Sequence, residues 1–119
     1  MKDERKNILE EAGISVEEAL ERFMGSETLL EKFLTKFLAD PNFEILQTAI
    51  KSGDQEAALK ASHTLKGVCG NLAMKQLYEK FSDQVSYMRS GNWDEAAEEM
   101  AELEGLYEKV CEAIKMTNF

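Results

Sequence analysis

A chain of 119 residues, 44% hydrophobic and with a single proline, has the length of one domain with a real core, and its Ala, Leu, Glu and Lys favour helix. The formal net charge of −9 leaves no basic stripe to neutralise phosphates, which excludes nucleic acid and an anionic membrane surface as partners. No run approaches the ~18 apolar residues of a membrane span; the N-terminus is charged from its second residue, and two cysteines are too few for a disulfide framework or a zinc site, so a cytoplasmic location is expected.

Residues 2–12 read as a short amphipathic helix with Ile8, Leu9 and Ala12 inward and Gly13 at its end. A lid on the bundle and a frayed terminus both fit this segment, so residues 1–13 are set apart as an N-terminal extension to a domain of residues 14–119. Ser15 and Glu18 match the capping box S-x-x-E, opening a helix that turns Val16, Ala19, Leu20 and Phe23 inward. Gly25 and Ser26 break it, and Ser26 caps the next helix.

That helix carries Leu29, Leu30, Phe33, Phe37 and Leu38; after Asp40-Pro41 the apolar period resumes with Phe43, Leu46, Ala49 and Ile50. Nothing between the two parts reads as a loop, so one kinked helix over about 27–51 is expected. Ser52-Gly53-Asp54 is a turn, with Asp54 as N-cap of a helix running to about Asn71 or Leu72. A further helix buries Met74, Leu77, Tyr78, Phe81, Val85 and Met88, and Ser90-Gly91-Asn92 closes it. The last helix begins at Asn92 or Asp94 and carries Trp93, Ala97, Met100, Leu103, Leu106, Tyr107, Val110 and Ile114. Long amphipathic helices on short turns give an all-α, up-and-down four-helix bundle with an additional short N-terminal helix. One bundle accounts for the apolar residues, so a monomer is expected.

The segment from Ala57 to Leu77 holds the only histidine. At roughly 100° per residue, Ala58, Ala61, Leu65, Val68, Cys69 and Leu72 share one face. His63 lies nearly opposite, with Lys66 at i+3, Gly67 at i+4 and Gly70 at i+7. A helical glycine costs roughly 1 kcal/mol relative to alanine. Two beside one outward imidazole clear side chains away and admit another backbone. Leu59 and Met74 project on the same side, where either contact with a partner or packing against neighbouring helices suits them.

Other chemistries fit poorly. A di-iron bundle needs Glu-x-x-His, and Lys60 stands three residues before His63. Cys69 points inward and cannot reach His63 within one helix. No glycine-rich loop cradles a phosphate. A neutral imidazole, with an ordinary pKa of about 6.5, attacks an activated phosphoryl group without a separate base. It needs exposure, room for a partner's active site, and a cation; His63, Gly67 with Gly70, and Lys66 supply them.

His63-Thr64-Leu65-Lys66-Gly67 reads H-x-L-K-G and resembles the phosphorylation motif of histidine-containing phosphotransfer (HPt) domains. The helical pattern on both sides extends the likeness to about residues 14–115. The resemblance implies a bundle whose histidine stands exposed midway along one helix, and a phosphorelay carrier without its own turnover. It makes His63 the phosphorylated nucleophile at Nε2, has Lys66 hold the phosphoryl group and has Gly67 admit the partner. Leu59, Gly70 and Met74 become candidates for the partner-binding surface. The partners are receiver domains of response regulators or hybrid kinases, and the receiver brings the Mg2+. A glutamine on the next helix that supports the site corresponds to Gln84. A bundle that docks on a receiver without relaying phosphate is the alternative. The family commonly has glycine ten positions after the histidine; this chain has Ala73, which points to Asn71 as the left-handed cap or to a different helix end.

Overall fold

Helix follows helix because each apolar stripe has the 3.6 period and each turn is built to stop it. The computed structural model describes all of Met1–Phe119. Its elements are α1 (Asp3–Glu11), α2 (Val16–Arg22), α3 (Glu27–Phe37), α4 (Asn42–Ser52), α5 (Gln55–Asn71), α6 (Lys75–Arg89), α7 (Trp93–Glu98) and α8 (Met100–Thr117). The molecule is all-α and elongated, 44 × 23 × 20 Å. The centre is an antiparallel bundle in which α5 lies between α4 and α6, and α7 with α8 packs along α6. On one side α1 packs along α8 and α3 also touches it, with Leu9 and Leu30 fully buried.

The turns share one device. After α1, α2, α4, α5 and α6 the chain places one or two residues in the left-handed region and closes two backbone bonds onto the last helical turn. Gly13, Gly53 and Gly91 do this after α1, α4 and α6 at no steric cost. Met24 at φ 53° and Ala73 at φ 52° do it against the preference of their Cβ atoms.

The expected helix over 27–51 is broken. Residues 38–41 separate α3 from α4; Pro41 has no N–H to continue the ladder, and Asp40 Oδ1 accepts from the Asn42 N–H at 2.8 Å. The break brings Phe37 and Phe43 onto one ring, Tyr107, at 4.9 and 4.0 Å between centroids. Leu34 of α3 is fully buried, while Leu29 and Phe33 of the same helix and Leu38 just after it are exposed.

The expected last helix divides at Glu99, which keeps right-handed helical angles. The Ala96 carbonyl there takes Gln84 Nε2 at 2.9 Å in place of the Met100 amide that a continuous helix would offer. Ser15 does not cap α2 with its side chain. Its amide is held by the Ala73 carbonyl at 3.0 Å, Glu10 Oε1 accepts from the Val16 N–H instead, and Glu18 pairs with Lys75 at 2.8 Å. Ser26 and Asp54 cap α3 and α5 as expected.

Candidate functional site

His63 sits near the middle of α5, exposed, and neither ring nitrogen is bonded to another group of the protein. The helix is anchored behind it. Ala58, Ala61, Leu65 and Cys69 are buried on the opposite stripe, so rotation of α5 would expose its core face. Ser62, next to His63, is fully buried and donates to Gln84 Oε1 at 2.8 Å. Gln84 Nε2 in turn donates to the Ala96 carbonyl and approaches Met100 Sδ at 3.2 Å. Gln84 thus lies under the histidine's backbone and ties α5, α6 and the α7–α8 break together.

Gly67 opens the site. A Cβ placed there would meet nothing within 4 Å, so the surface one turn beyond His63 is bare helix. Lys66 is half-buried and Lys60 is exposed, and neither ammonium has a carboxylate within ion-pair distance. At i+3 and i−3 both share the face of His63. Leu59, half-buried, lies one turn before it.

Two residues expected to meet a partner are used internally. Met74 is 1% exposed, because the left-handed turn at Ala73 swings it inward, where its backbone bridges Ile14. Packing against the chain's own helices, not contact with a partner, is its role. Gly70 is not open space either. A Cβ at 70 would sit 3.1 Å from two ring carbons of Tyr78, and its carbonyl accepts from Arg22 Nη1. The left-handed cap falls on Ala73 itself, while Asn71 stays inside α5. The Ala73 and Met74 amides close onto the Gly70 and Cys69 carbonyls at 3.2 and 2.9 Å, which holds the alanine there.

Sequence reasoning did not find the groove beside this face. Phe23 and Phe33, stacked at 5.2 Å, line an opening of about 410 Å³ with Phe37, Val68 and Leu72, rimmed by Arg22 and Lys36. The signal was present: Leu29, Leu30, Phe33, Leu34, Phe37 and Leu38 are more than one buried stripe of α3 can absorb. Nor was Tyr78 placed; expected in the core, it is 41% exposed.

No three His, Cys, Asp or Glu side chains gather where they could hold an ion. The thiols offer no nucleophile. Burial first, then the nearby Asp40 and Cys111, pushes the Cys69 thiol far above its usual range. Burial also raises Cys111, with Lys115 partly opposing it. No helix is long and apolar enough to cross a membrane.

The family model of the Hpt domain matches residues 28–113, most of the chain. The chain belongs to the Hpt family. No curated protein and no solved structure matches it. Hpt domains are phosphocarriers of two-component signalling, with receiver domains among their partners. In this Hpt domain the match begins inside α3, so α1 and α2 lie outside it and are nevertheless packed into the same core through Leu9, Val16 and Ala19.

Proposed function

We propose that this protein is a phosphorelay intermediate that accepts a phosphoryl group on His63 from the aspartyl phosphate of a receiver domain and passes it to the aspartate of a response regulator. The observation that carries the reading is the exposed, unbonded imidazole of His63 beside the bare helix surface at Gly67. The lone pair of the neutral imidazole, at Nε2, attacks phosphorus. The N–P bond forms as the P–O bond to the donor aspartate breaks, and the carboxylate leaves with the electron pair. Onward transfer reverses this: the acceptor carboxylate attacks, and the pair of the N–P bond returns to the imidazole. No proton has to move, so the histidine needs no general base.

Charge on the phosphoryl oxygens calls for cations. Lys66, unpaired on the same face, supplies one from this chain. The divalent metal is assigned to the receiver, because this chain gathers no ligand set for it. The receiver docks over Leu59 and Gly67 and into the groove of Phe23, Phe33 and Val68. That groove adjoins the bare surface through Asn71, one turn beyond Gly67. The protein acts as a monomer in the cytoplasm and turns nothing over by itself.

The test is transfer from a phosphorylated receiver domain, followed by the label on both proteins. Label moves to the wild type and not to His63→Gln. A receiver that binds both equally and yields no phosphate to either would establish a non-relaying, sequestering module instead.

A further inference from the structure

Met24 holds two unfavourable states at once. Its backbone is left-handed at φ 53°, against the preference of its Cβ, and its side chain is 93% exposed. The turn itself uses only the backbone. The Met24 and Gly25 amides close onto the Glu21 and Leu20 carbonyls at 3.2 and 2.7 Å, bonds that glycine at position 24 would make equally well. The fold therefore has no use for this side chain. A thioether is flexible and polarizable, suited to an irregular apolar surface brought by another molecule.

Arg22 and Phe23 precede it directly. Phe23 stacks on Phe33 at the mouth of the groove beside α5. Arg22 and Lys36 flank these rings; both are exposed, and neither has a carboxylate within ion-pair distance in a chain of net charge −9. The one carboxylate that lines the groove, Asp40, is turned to the start of α4, where it accepts from the Asn42 N–H and Nδ2 at 2.8 Å. Apolar surface edged by two unpaired cations complements apolar surface edged by a carboxylate.

Arg22 Nη1 donates to the Gly70 carbonyl, which ties the end of α2 to α5 seven residues beyond His63. Seven residues are close to two turns, so Gly70 shares the face of His63 about 10 Å further along the axis. A partner that covers about 800 Å² of this chain has a footprint roughly 30 Å wide and meets both places at once.

We propose that Arg22, Phe23 and Met24, with Lys36 across the groove, form the part of the docking surface that takes an apolar patch of the receiver domain edged by a carboxylate. This rests on the reading of His63 as acceptor from a receiver. Arg22, Phe23 and Met24 all precede residue 28, where the match to the family model begins, so the contact lies in a part of the chain that the model does not cover.

The test is single-turnover transfer from a phosphorylated receiver domain that labels His63, measured against receiver concentration and salt. Met24→Gly should lower the second-order rate of transfer roughly three- to ten-fold, although its unfolding midpoint does not fall below that of the wild type. A side chain that served the fold would show the reverse. Salt screens attraction between Arg22, Lys36 and a partner carboxylate, so wild-type transfer slows between about 50 and 300 mM sodium chloride. Repulsion of an acidic partner by the chain as a whole would give the opposite trend. Arg22→Gln, which keeps a donor for the Gly70 carbonyl, combined with Lys36→Gln, should slow transfer at low salt and flatten its salt dependence. Wild-type transfer rates in Met24→Gly, or the same salt dependence with and without the two cations, overturn the proposal and leave His63 as acceptor. Wild-type protein that gains phosphate from phosphoramidate and from no receiver overturns the relay reading, and this docking with it.

Discussion

Ser62 and Gln84 are joined at 2.8 Å directly behind the exposed imidazole, both fully buried. The bond fixes the backbone beside His63 from inside the bundle, and the same glutamine occupies the Ala96 carbonyl at the α7–α8 break. Replacing Gln84 by leucine leaves a hydroxyl and a carbonyl without their partner, at a cost of about 1–3 kcal/mol. Ser62→Ala removes one of the two contacts. The double variant should therefore lose clearly less than the sum of the two single losses. Urea unfolding midpoints check this, and strict additivity would contradict the coupling.

Met24 and Ala73 hold left-handed angles without being glycine. That conformation costs an L-residue about 1–2 kcal/mol, offset by about 0.4–1 kcal/mol of unfolded-chain entropy when glycine replaces it. Met24 is 93% exposed and loses little packing, so Met24→Gly should stabilise by roughly 0.5–1 kcal/mol. Ala73→Gly gives a smaller gain, because the Ala73 methyl is buried. Thermal unfolding of both variants checks the order.

The bundle was legible in the sequence because most of its apolar residues serve one purpose. From Ala58 to Leu72, and from Leu77 to Val85, the period of buried residues coincides with that of the helix. Reading failed where one residue answers two demands. Asp40-Pro41 could bend a helix or begin one, and the choice was made by Tyr107, some 65 residues away, which takes a ring from each side. Glu99 gave no local sign of a break, because its cause is Gln84 on another helix. At the site, His63, Lys66 and Gly67 were legible as one face of α5. Gly70 and Met74 were not. Their fates depend on Tyr78 and on the bridge to Ile14, neither of which the α5 pattern contains.

Phe33 is 39% exposed and stacks on Phe23 at the mouth of the groove. If the receiver docks there, Phe33→Ala removes an aromatic anchor and should raise the receiver Kd by roughly ten-fold or more. The fold should tolerate the loss, since the ring's inner neighbours Leu30, Leu34 and Phe37 remain. Calorimetric titration with a receiver domain, beside a circular-dichroism spectrum of the variant, separates the two effects. An unchanged Kd would move the docking surface away from α3.

Stability should fall in alkali. Burial raises the Cys69 thiol above its ordinary 9.0 and the Tyr107 hydroxyl above its ordinary 10.0. Above those values the unfolded chain releases protons that the folded chain retains, so the folded state loses its advantage as pH rises. Its stability contribution is fully present below pH 9 and declines above it, by at most about 1.4 kcal/mol per pH unit for each group. Urea unfolding from pH 7 to 10.5 tests this. Cys69→Ala should flatten the slope between pH 9 and 10, and an unchanged slope would remove Cys69 as its source.

The most direct test of the central claim is 31P NMR of the protein after incubation with phosphoramidate, a donor that needs no partner to be known. The account requires a phosphohistidine resonance that acid abolishes, present in the wild type and missing from His63→Gln with its helical spectrum intact. A wild-type protein that shows no phosphohistidine resonance, or a His63→Gln variant that loses its helices, would contradict an accessible acceptor held outside the core.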